Sequence, residues 1–409
     1  MADVVDDLAG LDLSAAASWY QSTEDAEAPA RLTVDDLLAS VADADDADPH
    51  ADAASEPKPE DDGEDTIVWA ERQLRKLPVG ALYPELIAPC VVALSAWRER
   101  LPPKAWRRVW RRERVLKEIN ECAPVVARAL AIVAAAAEGA PPFTFVDLCS
   151  GFGFLAMLLS ELLPAEKVCR IWLVDKCWPM RNAAGASANQ ISWEHIYGTE
   201  AEPLPSPWPI PLETRKMDLR KAREMRSLPK VCWERGESGG GPVVLLAVHL
   251  CGGLSCHAVH LFNREPRIRN LVLKPCCLPG KAAVRKELEW SFSGGHSFSA
   301  ADLYERSKGA AAFENWAENL AQAVHVSGAG SSKSLEHILV QSKHFQSAYV
   351  FVDRGPIQEG DETVSTDAVR RATSRLMPSS SPDALGNLQF DKPRGAAEPK
   401  PEPKPEPEL

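Results

Sequence analysis

One segment near the middle of the chain most constrains the fold: a short strand-like run that ends in an acid and opens into a glycine turn. Phe143 to Val146 are β-branched or aromatic, Asp147 follows, and Gly151 and Gly153 precede an apolar run from Leu155 to Leu163. Such residues favour a strand before the turn and a helix after it. Strand, glycine turn and helix open a βαβ unit, so the sequence predicts an α/β fold with a parallel sheet.

The glycine turn is compatible with two nucleotide-type ligands. Gly151, Gly153 and Ala156 satisfy a relaxed GxGxxA dinucleotide pattern. Asp175 lies near the offset of roughly 20 residues expected of an acid that binds ribose. Asp147 favours the other ligand, because a carboxylate at the strand end repels a pyrophosphate but attracts the cationic methionine end of S-adenosylmethionine. The turn leaves both ligands open, with S-adenosylmethionine favoured.

Two further acids follow strand-like runs. The run from Cys169 to Val174 leads to Asp175, whose carboxylate can accept hydrogen bonds from both hydroxyls of a ribose. Asp218 and the backbone amide of Leu219 are placed to meet an adenine edge, although Asp218 alone fits a helix N-cap or a solvated loop better. The predicted cofactor-binding residues are Asp147, Cys149, Gly151, Gly153, Asp175, Lys176, Asp218 and Leu219.

Two later apolar runs end abruptly in polar and thiol residues, and they predict the fourth and fifth parallel strands. They are VVLLAVHLCGG and NLVLKPCCLPG. Ligands in open α/β sheets lie beyond the carboxyl ends of the strands, so the candidate catalytic residues are His249, Cys251, Cys276 and Cys277. The histidine is the best base by type, and a thiol nucleophile activated by Lys274 is an alternative. Small buried thiols that only line a pocket are the simpler interpretation. No CxxC pair at zinc spacing is present, so no metal site is predicted.

Two segments bear on how the sheet is closed and covered. Residues 336–354 hold two strand-like runs around a polar turn, which predicts an antiparallel pair closing the sheet and is hard to reconcile with a dehydrogenase. Residues 191–216 form an insertion rich in proline and aromatic residues, either a lid over the ligand or a surface loop packed on a neighbouring helix. Its candidate capping residues are Trp193, His195, Tyr197 and Trp208.

Together these segments resemble a known family. VDLCSGFGFL, LVDK, AVHLCGG and KPCC are similar to the motifs of a eukaryotic methyltransferase-domain family that includes tRNA ribose methylases, over about residues 110 to 353. The resemblance implies a Rossmann-like class I methyltransferase fold with a mostly parallel seven-stranded sheet and an antiparallel closing strand. It also implies S-adenosylmethionine as cofactor, bound through Asp147, Gly151, Gly153 and Asp175.

The chain departs from this family after the His-x-Cys-Gly segment. Family members often continue with Thr-Asp at a position where this chain has Ser255 and Cys256. Neither a hydroxyl nor a thiol replaces a carboxylate charge, so a tRNA activity does not carry over directly. A methyltransferase with another acceptor and a non-catalytic protein that binds S-adenosylmethionine or RNA both remain open, and a dehydrogenase is third.

The two ends of the chain are unlike its middle. Residues 1–65 hold 20 acidic residues against Arg31 and Lys58, a net charge of −18 that leaves +6 for residues 66–409. Such a segment buries too little apolar surface to fold, and it is a candidate docking region for a protein partner. The predicted organisation is an acidic disordered segment (1–65), a helical, partly basic segment (66–139), a methyltransferase domain (140–355) and a disordered Pro/Glu/Lys tail (356–409).

The strongest basic patch lies between residues 98 and 117. It holds nine Lys or Arg residues against two Glu, interleaved with Trp106 and Trp110 and preceded by Trp97. Phosphate contacts beside stacking rings are typical of RNA binding, which makes Arg107, Arg108, Arg111 and Arg112 the candidate nucleic-acid-binding residues. The simpler alternative is an amphipathic helix that buries its tryptophans and extends its arginines into water. A third possibility is that the acidic segment 1–65 screens the patch.

The cysteine content and the hydropathy of the chain limit the cellular compartments in which the protein is expected. The chain holds 10 cysteines with no recognisable signal peptide, which favours a reducing environment and a cytoplasmic or nuclear protein. The longest apolar run, residues 122–139, contains Arg128 and predicts a buried alanine-rich helix instead of a membrane span. The sequence therefore predicts an S-adenosylmethionine-dependent methyltransferase, with RNA modification slightly favoured over protein or small-molecule acceptors.

Overall fold

The computed structural model describes residues 66–180, 190–232, 241–279, 281–285, 288–305, 309–340 and 347–355. The acidic segment 1–65 and the tail 356–409 lie outside these residues, so the predictions made for them stay predictions.

Nine strands are described, seven of them in one mixed sheet. In chain order they are β1 (Phe143–Leu148), β2 (Val168–Asp175), β3 (Leu212–Lys216), β4 (Val243–Leu250), β5 (Ile268–Pro275), β6 (Glu289–Ser291), β7 (Ser297–Ser299), β8 (Ser332–His337) and β9 (Ala348–Asp353). The large sheet has the order β3-β2-β1-β4-β5-β9-β8. Strands β1 to β5 pair in parallel, whereas β9 is antiparallel to both of its neighbours. The predicted Rossmann-like sheet with an antiparallel closing strand is confirmed.

Helices cover both faces of this sheet. Besides a 3₁₀ turn at Pro84–Leu86, they are α1 (Thr66–Leu74), α2 (Pro78–Leu82), α3 (Ile87–Arg100), α4 (Pro103–Val109), α5 (Arg112–Ala134), α6 (Phe154–Leu162), α7 (Glu194–Tyr197), α8 (Ala222–Cys232), α9 (Leu254–Arg264), α10 (Lys281–Arg285), α11 (Ala300–Glu305) and α12 (Ala310–Ala323). One core cluster joins α1 to α6 with Phe145 and Leu173 of the sheet. The other joins α8, α9 and α12 with Leu245 and Leu271. The central strands are buried on both sides because each face has its own helical layer.

The helices before β1 belong to the same core as the sheet. Trp97 of α3 and Val125 of α5 are fully buried in the cluster that also holds Phe145 of β1. The predicted alanine-rich helix is confirmed as the second half of α5, which continues through Pro124. The basic segment spans the end of α3, all of α4 and the start of α5, with a turn at Trp110 and Arg111, so it is not one continuous helix.

The closing hairpin lies slightly earlier in the chain than predicted. Strand β8 begins at Ser332 instead of near Glu336, and it pairs with β9 from Ser332↔Asp353 to His337↔Ala348. Most side chains of β8 are exposed or half-buried because it is an edge strand. An apolar pattern therefore does not mark where β8 begins. Among the described residues, no helix combines the length and apolar character needed to cross a bilayer.

Candidate active site

The glycine turn after β1 has a strained backbone that only glycine adopts easily. Gly151 and Gly153 have φ angles of 53° and 91°, and Cys149 has a φ of 56°. A Cβ at Gly153 would lie 2.5 Å from Cδ2 of Leu173, so that glycine allows close packing of the turn on β2. A Cβ at Gly151 would meet nothing within 4 Å, so its bare backbone faces open space. The turn therefore presents unshielded backbone to a ligand at the start of α6.

Asp175 holds the turn from the end of β2. Its Oδ2 accepts a hydrogen bond from the backbone N–H of Gly151 at 3.2 Å, and its Oδ1 accepts one from Cys177 at 2.7 Å. Each carboxylate oxygen has a second lone pair that these bonds leave available. Asp175 is half-buried, so both oxygens are fixed in position at the edge of the turn.

Asp147 is the most unusual acid in the site. Its side chain is only 3% exposed near the end of β1. Burial, together with the charges of Asp175 and Glu118, holds the pKa of Asp147 well above its usual value. A buried carboxylate in this condition is stabilised by a nearby cation, so the turn is suited to a positively charged ligand group.

A cavity of about 630 Å³ opens beside the turn. Its lining brings together three chain segments: the arginines at the α4–α5 turn, the glycine turn with the end of β2, and the start of the 191–216 insertion. The lining residues are Arg108, Arg111, Arg114, Gly151, Phe152, Asp175, Cys177, Gln190, Ile191 and Ser192. The volume lies within the range of small-molecule and cofactor sites.

The three arginines differ in their surroundings. The Nη1 of Arg108 donates a hydrogen bond to Oε2 of Glu194 at 2.8 Å, so its charge is partly balanced. The guanidinium of Arg114 lies 5.0 Å from the ring centre of Phe152, and burial lowers its pKa. Arg111 is exposed at the rim. The cavity therefore has an acidic edge at Asp175 and a basic edge at the arginines. It is suited to one ligand with positive and negative groups, or to two ligands of opposite charge.

The 191–216 insertion packs against the glycine turn and also borders the cavity. His195 is 2% exposed, and its ring stacks on Phe152 with centroids 3.8 Å apart. Its Nε2 donates to the carbonyl of Phe152 at 2.8 Å, and burial lowers the pKa of His195 to about 4. The indole of Trp208 is also buried and donates to the carbonyl of Ile196 at 3.0 Å. His195 and Trp208 are thus packing residues, and the part of the insertion that lines the cavity is its start, Ile191 and Ser192.

Six of the eight predicted cofactor residues lie outside the cavity lining, and their roles stay predictions: Asp147, Cys149, Gly153, Lys176, Asp218 and Leu219. Cys149 is half-buried within the turn, whereas Lys176 is exposed. Asp218 is bound by the guanidinium of Arg220 at 2.9 Å, and this pairing lowers its pKa. Leu219 is buried, and its carbonyl accepts a hydrogen bond from His257 at 2.7 Å. The backbone amide of Asp218 donates to Glu224, so Asp218 is engaged on both sides within its own loop.

The predicted catalytic thiols converge at the ends of β4 and β5. The Sγ atoms of Cys251 and Cys276 are 3.1 Å apart, and those of Cys276 and Cys277 are 3.8 Å apart. The pKa values of Cys276 and Cys277 are raised above the ordinary value of a thiol, so neither thiol is activated beside Lys274. Lys274 is buried 3.9 Å from Glu121, and mutual hydrogen bonds among the thiols raise the pKa of Cys276 and bring that of Cys277 to about 11. His249 lies in β4, but its side chain is outside the described part of the chain.

Ser255 and Cys256, where the chain departs from the family motif, do not lie in the cavity. Both side chains are fully buried, and Cys256 belongs to the apolar core beneath α9. The hydroxyl of Ser255 donates to the carbonyl of Leu250 at 2.8 Å. Position 256 faces the core because it falls in the first turn of α9, so the absence of an acid there removes no charge from the cavity.

The tryptophans of the basic segment pack instead of presenting rings to a ligand. Trp97 is fully buried. Trp106 and Trp110 stack on each other with centroids 5.2 Å apart, and Trp110 also contacts Trp69 edge-on. Arg112 lies 4.9 Å from the ring centre of Trp69. The burial of Trp97 and the stacking of Trp106 on Trp110 agree with the packing alternative, whereas RNA binding by the arginines stays a prediction.

From the sequence, the basic segment and the glycine turn were interpreted separately. Their shared cavity was not predicted. Arg114 was counted in the basic run but was not named as a site residue, and its contact with Phe152 depends on how α5 crosses α6. Phe152 was part of the predicted Gly-Phe-Gly turn, but it was not predicted to line the site. No local pattern links these two residues along the chain.

Comparison with known proteins gives one finding. Residues 114–280 match the sequence model of a family described as a methyltransferase domain. No curated protein and no solved structure gave a significant match. The matched range runs from α5 through β5 and includes the glycine turn, Asp147, Asp175 and the three thiols. Sheet order, glycine turn and this match agree, and residues 114–280 are therefore similar to a methyltransferase domain.

Proposed function

We propose that this chain is an S-adenosylmethionine-dependent methyltransferase. The observation that carries the proposal is the position of Asp175, which ends β2 at the edge of a cavity and binds the backbone of the glycine turn. A carboxylate fixed there is placed to accept hydrogen bonds from ribose hydroxyls. The antiparallel β9 between β5 and β8 supports a methyltransferase over a dehydrogenase.

The residues at the turn fit the cationic cofactor. Asp147 is buried beside the turn, and burial raises its pKa. The ammonium and sulfonium groups of S-adenosylmethionine would supply the positive charge that stabilises it. Gly151 leaves its backbone open to the cavity, which allows the close approach that a cofactor held at a helix N-terminus needs.

Bound S-adenosylmethionine would supply the activated methyl group, and the chain would supply alignment. Methyl transfer to a nucleophilic acceptor requires mainly that the acceptor atom and the methyl carbon are held in line. A base is needed only where the acceptor atom carries a proton. His249 at the end of β4 is the proposed base, and a His249→Ala variant with full turnover would remove it from the mechanism.

The acceptor is proposed to be an RNA bound through the arginine edge of the cavity. Arg108, Arg111 and Arg114 line the same cavity as Asp175, so a phosphate bound by them would lie beside the proposed cofactor. Arginine is well suited to phosphate because its planar guanidinium donates two parallel hydrogen bonds. The non-catalytic alternative has less support than it had from the sequence, since Cys256 lies in the core.

The test is transfer of a labelled methyl group from S-adenosylmethionine by the full chain to total tRNA, with a protein mixture and a small-molecule mixture tested in parallel. The Arg111→Ala variant should bind RNA more weakly and lower the salt-dependence slope by about 1. The matched control is Arg226→Ala, because Arg226 is also exposed but lies on α8, across the sheet. Label in protein or small molecules but not in RNA would overturn the acceptor proposal. Cofactor binding with no transfer to any acceptor class would overturn catalysis and leave a binding protein.

A further inference from the structure

Three thiols meet at the end of the sheet because two strands end in register. Leu250 of β4 pairs with Pro275 of β5, and the next residue on each strand is a cysteine, Cys251 and Cys276. Cys277 adds a second thiol from β5. All three Sγ atoms lie within 4.8 Å of one another. In the part of the chain that the structure describes, this is the group of side chains arranged to hold a metal ion.

The spacing of the sulfur atoms matches metal ligation better than a disulfide. Zinc binds thiolate sulfur at about 2.3 Å with tetrahedral geometry, which separates two sulfur ligands by about 3.8 Å. The Cys276 and Cys277 sulfurs are 3.8 Å apart, and the Cys251 and Cys276 sulfurs, at 3.1 Å, are far beyond the bond length of a disulfide. A small rotation of the Cys251 side chain would bring the second pair to the same spacing.

The site is accessible and built on fixed backbone. Cys251 is exposed, whereas Cys276 and Cys277 are half-buried, so an ion can enter from one side. The backbone N–H of Gly252 donates to the carbonyl of Cys277 at 3.3 Å, which ties the loop after β4 to the loop after β5. Gly252 has a positive φ of 54°, the conformation that turns the chain there. Both loops are therefore held in position before any ion binds.

We propose that Cys251, Cys276 and Cys277 bind one zinc ion and leave its fourth coordination position open to solvent or substrate. Thiolates select soft or borderline cations, and three protein ligands with one open position distinguish an accessible site from a closed structural one. The site lies next to the glycine turn, because Cys251 is close enough to raise the pKa of Cys149. The ion would link the ends of β4 and β5. Zinc binding does not depend on the proposed methyl transfer.

The experiment is titration of the reduced, metal-stripped full chain with Zn²⁺ by calorimetry and with Co²⁺ by absorption spectroscopy. We expect one equivalent of Zn²⁺ and the charge-transfer and d–d bands of tetrahedral thiolate-bound Co²⁺. The Cys276→Ser variant should lose affinity at least ~10-fold, by analogy with the loss of a group that supports a metal site.

The control is Cys169→Ser, because Cys169 lies at the start of β2, away from the strand ends that carry the cluster. This variant should bind both ions as the unchanged chain does. Unfolding of each variant is followed by circular dichroism, so that a loss of folding is not read as a loss of a ligand. Absence of the cobalt bands, or zinc binding unchanged in a Cys251→Ser/Cys276→Ser/Cys277→Ser variant, would overturn the proposal.

Discussion

His195 should make the folded state sensitive to mild acid. Its ring is buried against Phe152, and burial lowers its pKa from 6.5 to about 4. The charges of Arg108 and Arg114 act in the same direction, whereas the hydrogen bond to the Phe152 carbonyl opposes it. Between these two pKa values the unfolded chain binds a proton at this position and the folded chain does not. The stability that the neutral ring contributes is therefore present above pH 6.5 and is lost as the pH falls toward 4.

The size of the effect follows from the two pKa values. Their difference corresponds to about 3 kcal/mol of stability, of which about 2 kcal/mol is lost between roughly pH 7 and pH 5. The comparison variant is His195→Phe, which keeps a ring that can stack on Phe152 but cannot titrate. It should be less stable at neutral pH because the Phe152 carbonyl loses its donor, yet its stability should fall less steeply with acid.

The assay is urea unfolding of the full chain, followed by tryptophan fluorescence at several pH values between neutral and mildly acidic. The informative quantity is the difference in unfolding free energy between the unchanged chain and His195→Phe at each pH, because other titrating groups cancel in that difference. The difference should shrink by about 2 kcal/mol on going from about pH 7 to about pH 5. A difference independent of pH would show that His195 titrates normally and would refute the argument.

Two further predictions concern the backbone of the turn and a buried ion pair. Gly153→Ala should destabilise the fold by about 1 kcal/mol more than Gly139→Ala. Both glycines have positive φ, but only the first would place its Cβ against Leu173. Thermal unfolding measures this, and equal losses would contradict it. Lys274→Met should cost about 3 kcal/mol in urea unfolding, because Lys274 and Glu121 are both almost fully buried. The Lys274→Met/Glu121→Gln double variant should recover part of that loss, and additive losses would contradict the pairing.

The parts of the fold that were predicted correctly from the sequence are those determined by residues adjacent in the chain. The strand before Asp147, the glycines after it and the acid at the end of β2 are each readable from a few neighbouring residues, because parallel strands buried on both faces are continuous apolar runs. The edge strand β8 was placed late because half-exposed side chains give no such signal. The number of strands and the antiparallel closing strand were expected from the family resemblance.

The parts that could not be predicted depend on contacts distant in sequence. The arginines reach the cavity because α4 and α5 pack beside the glycine turn, although the whole of helix α5 and strand β1 separate Arg108 from Gly151 along the chain. The thiols meet because of the register between Leu250 and Pro275, which neither strand reveals alone. Position 256 was weighed as functionally important because family members often have an acid there, yet its place in the first turn of α9 directs Cys256 to the core.

The central claim is that the cavity at the ends of β1 and β2 binds S-adenosylmethionine. The most direct measurement is calorimetric titration of the full chain with S-adenosylmethionine, S-adenosylhomocysteine and NAD, alongside an Asp175→Ala variant shown by circular dichroism to be folded. The predicted result is binding of the first two ligands at micromolar concentration, lost in the variant, with no binding of NAD. Binding of NAD, or S-adenosylmethionine binding that Asp175→Ala leaves unchanged, would contradict the assignment of this site.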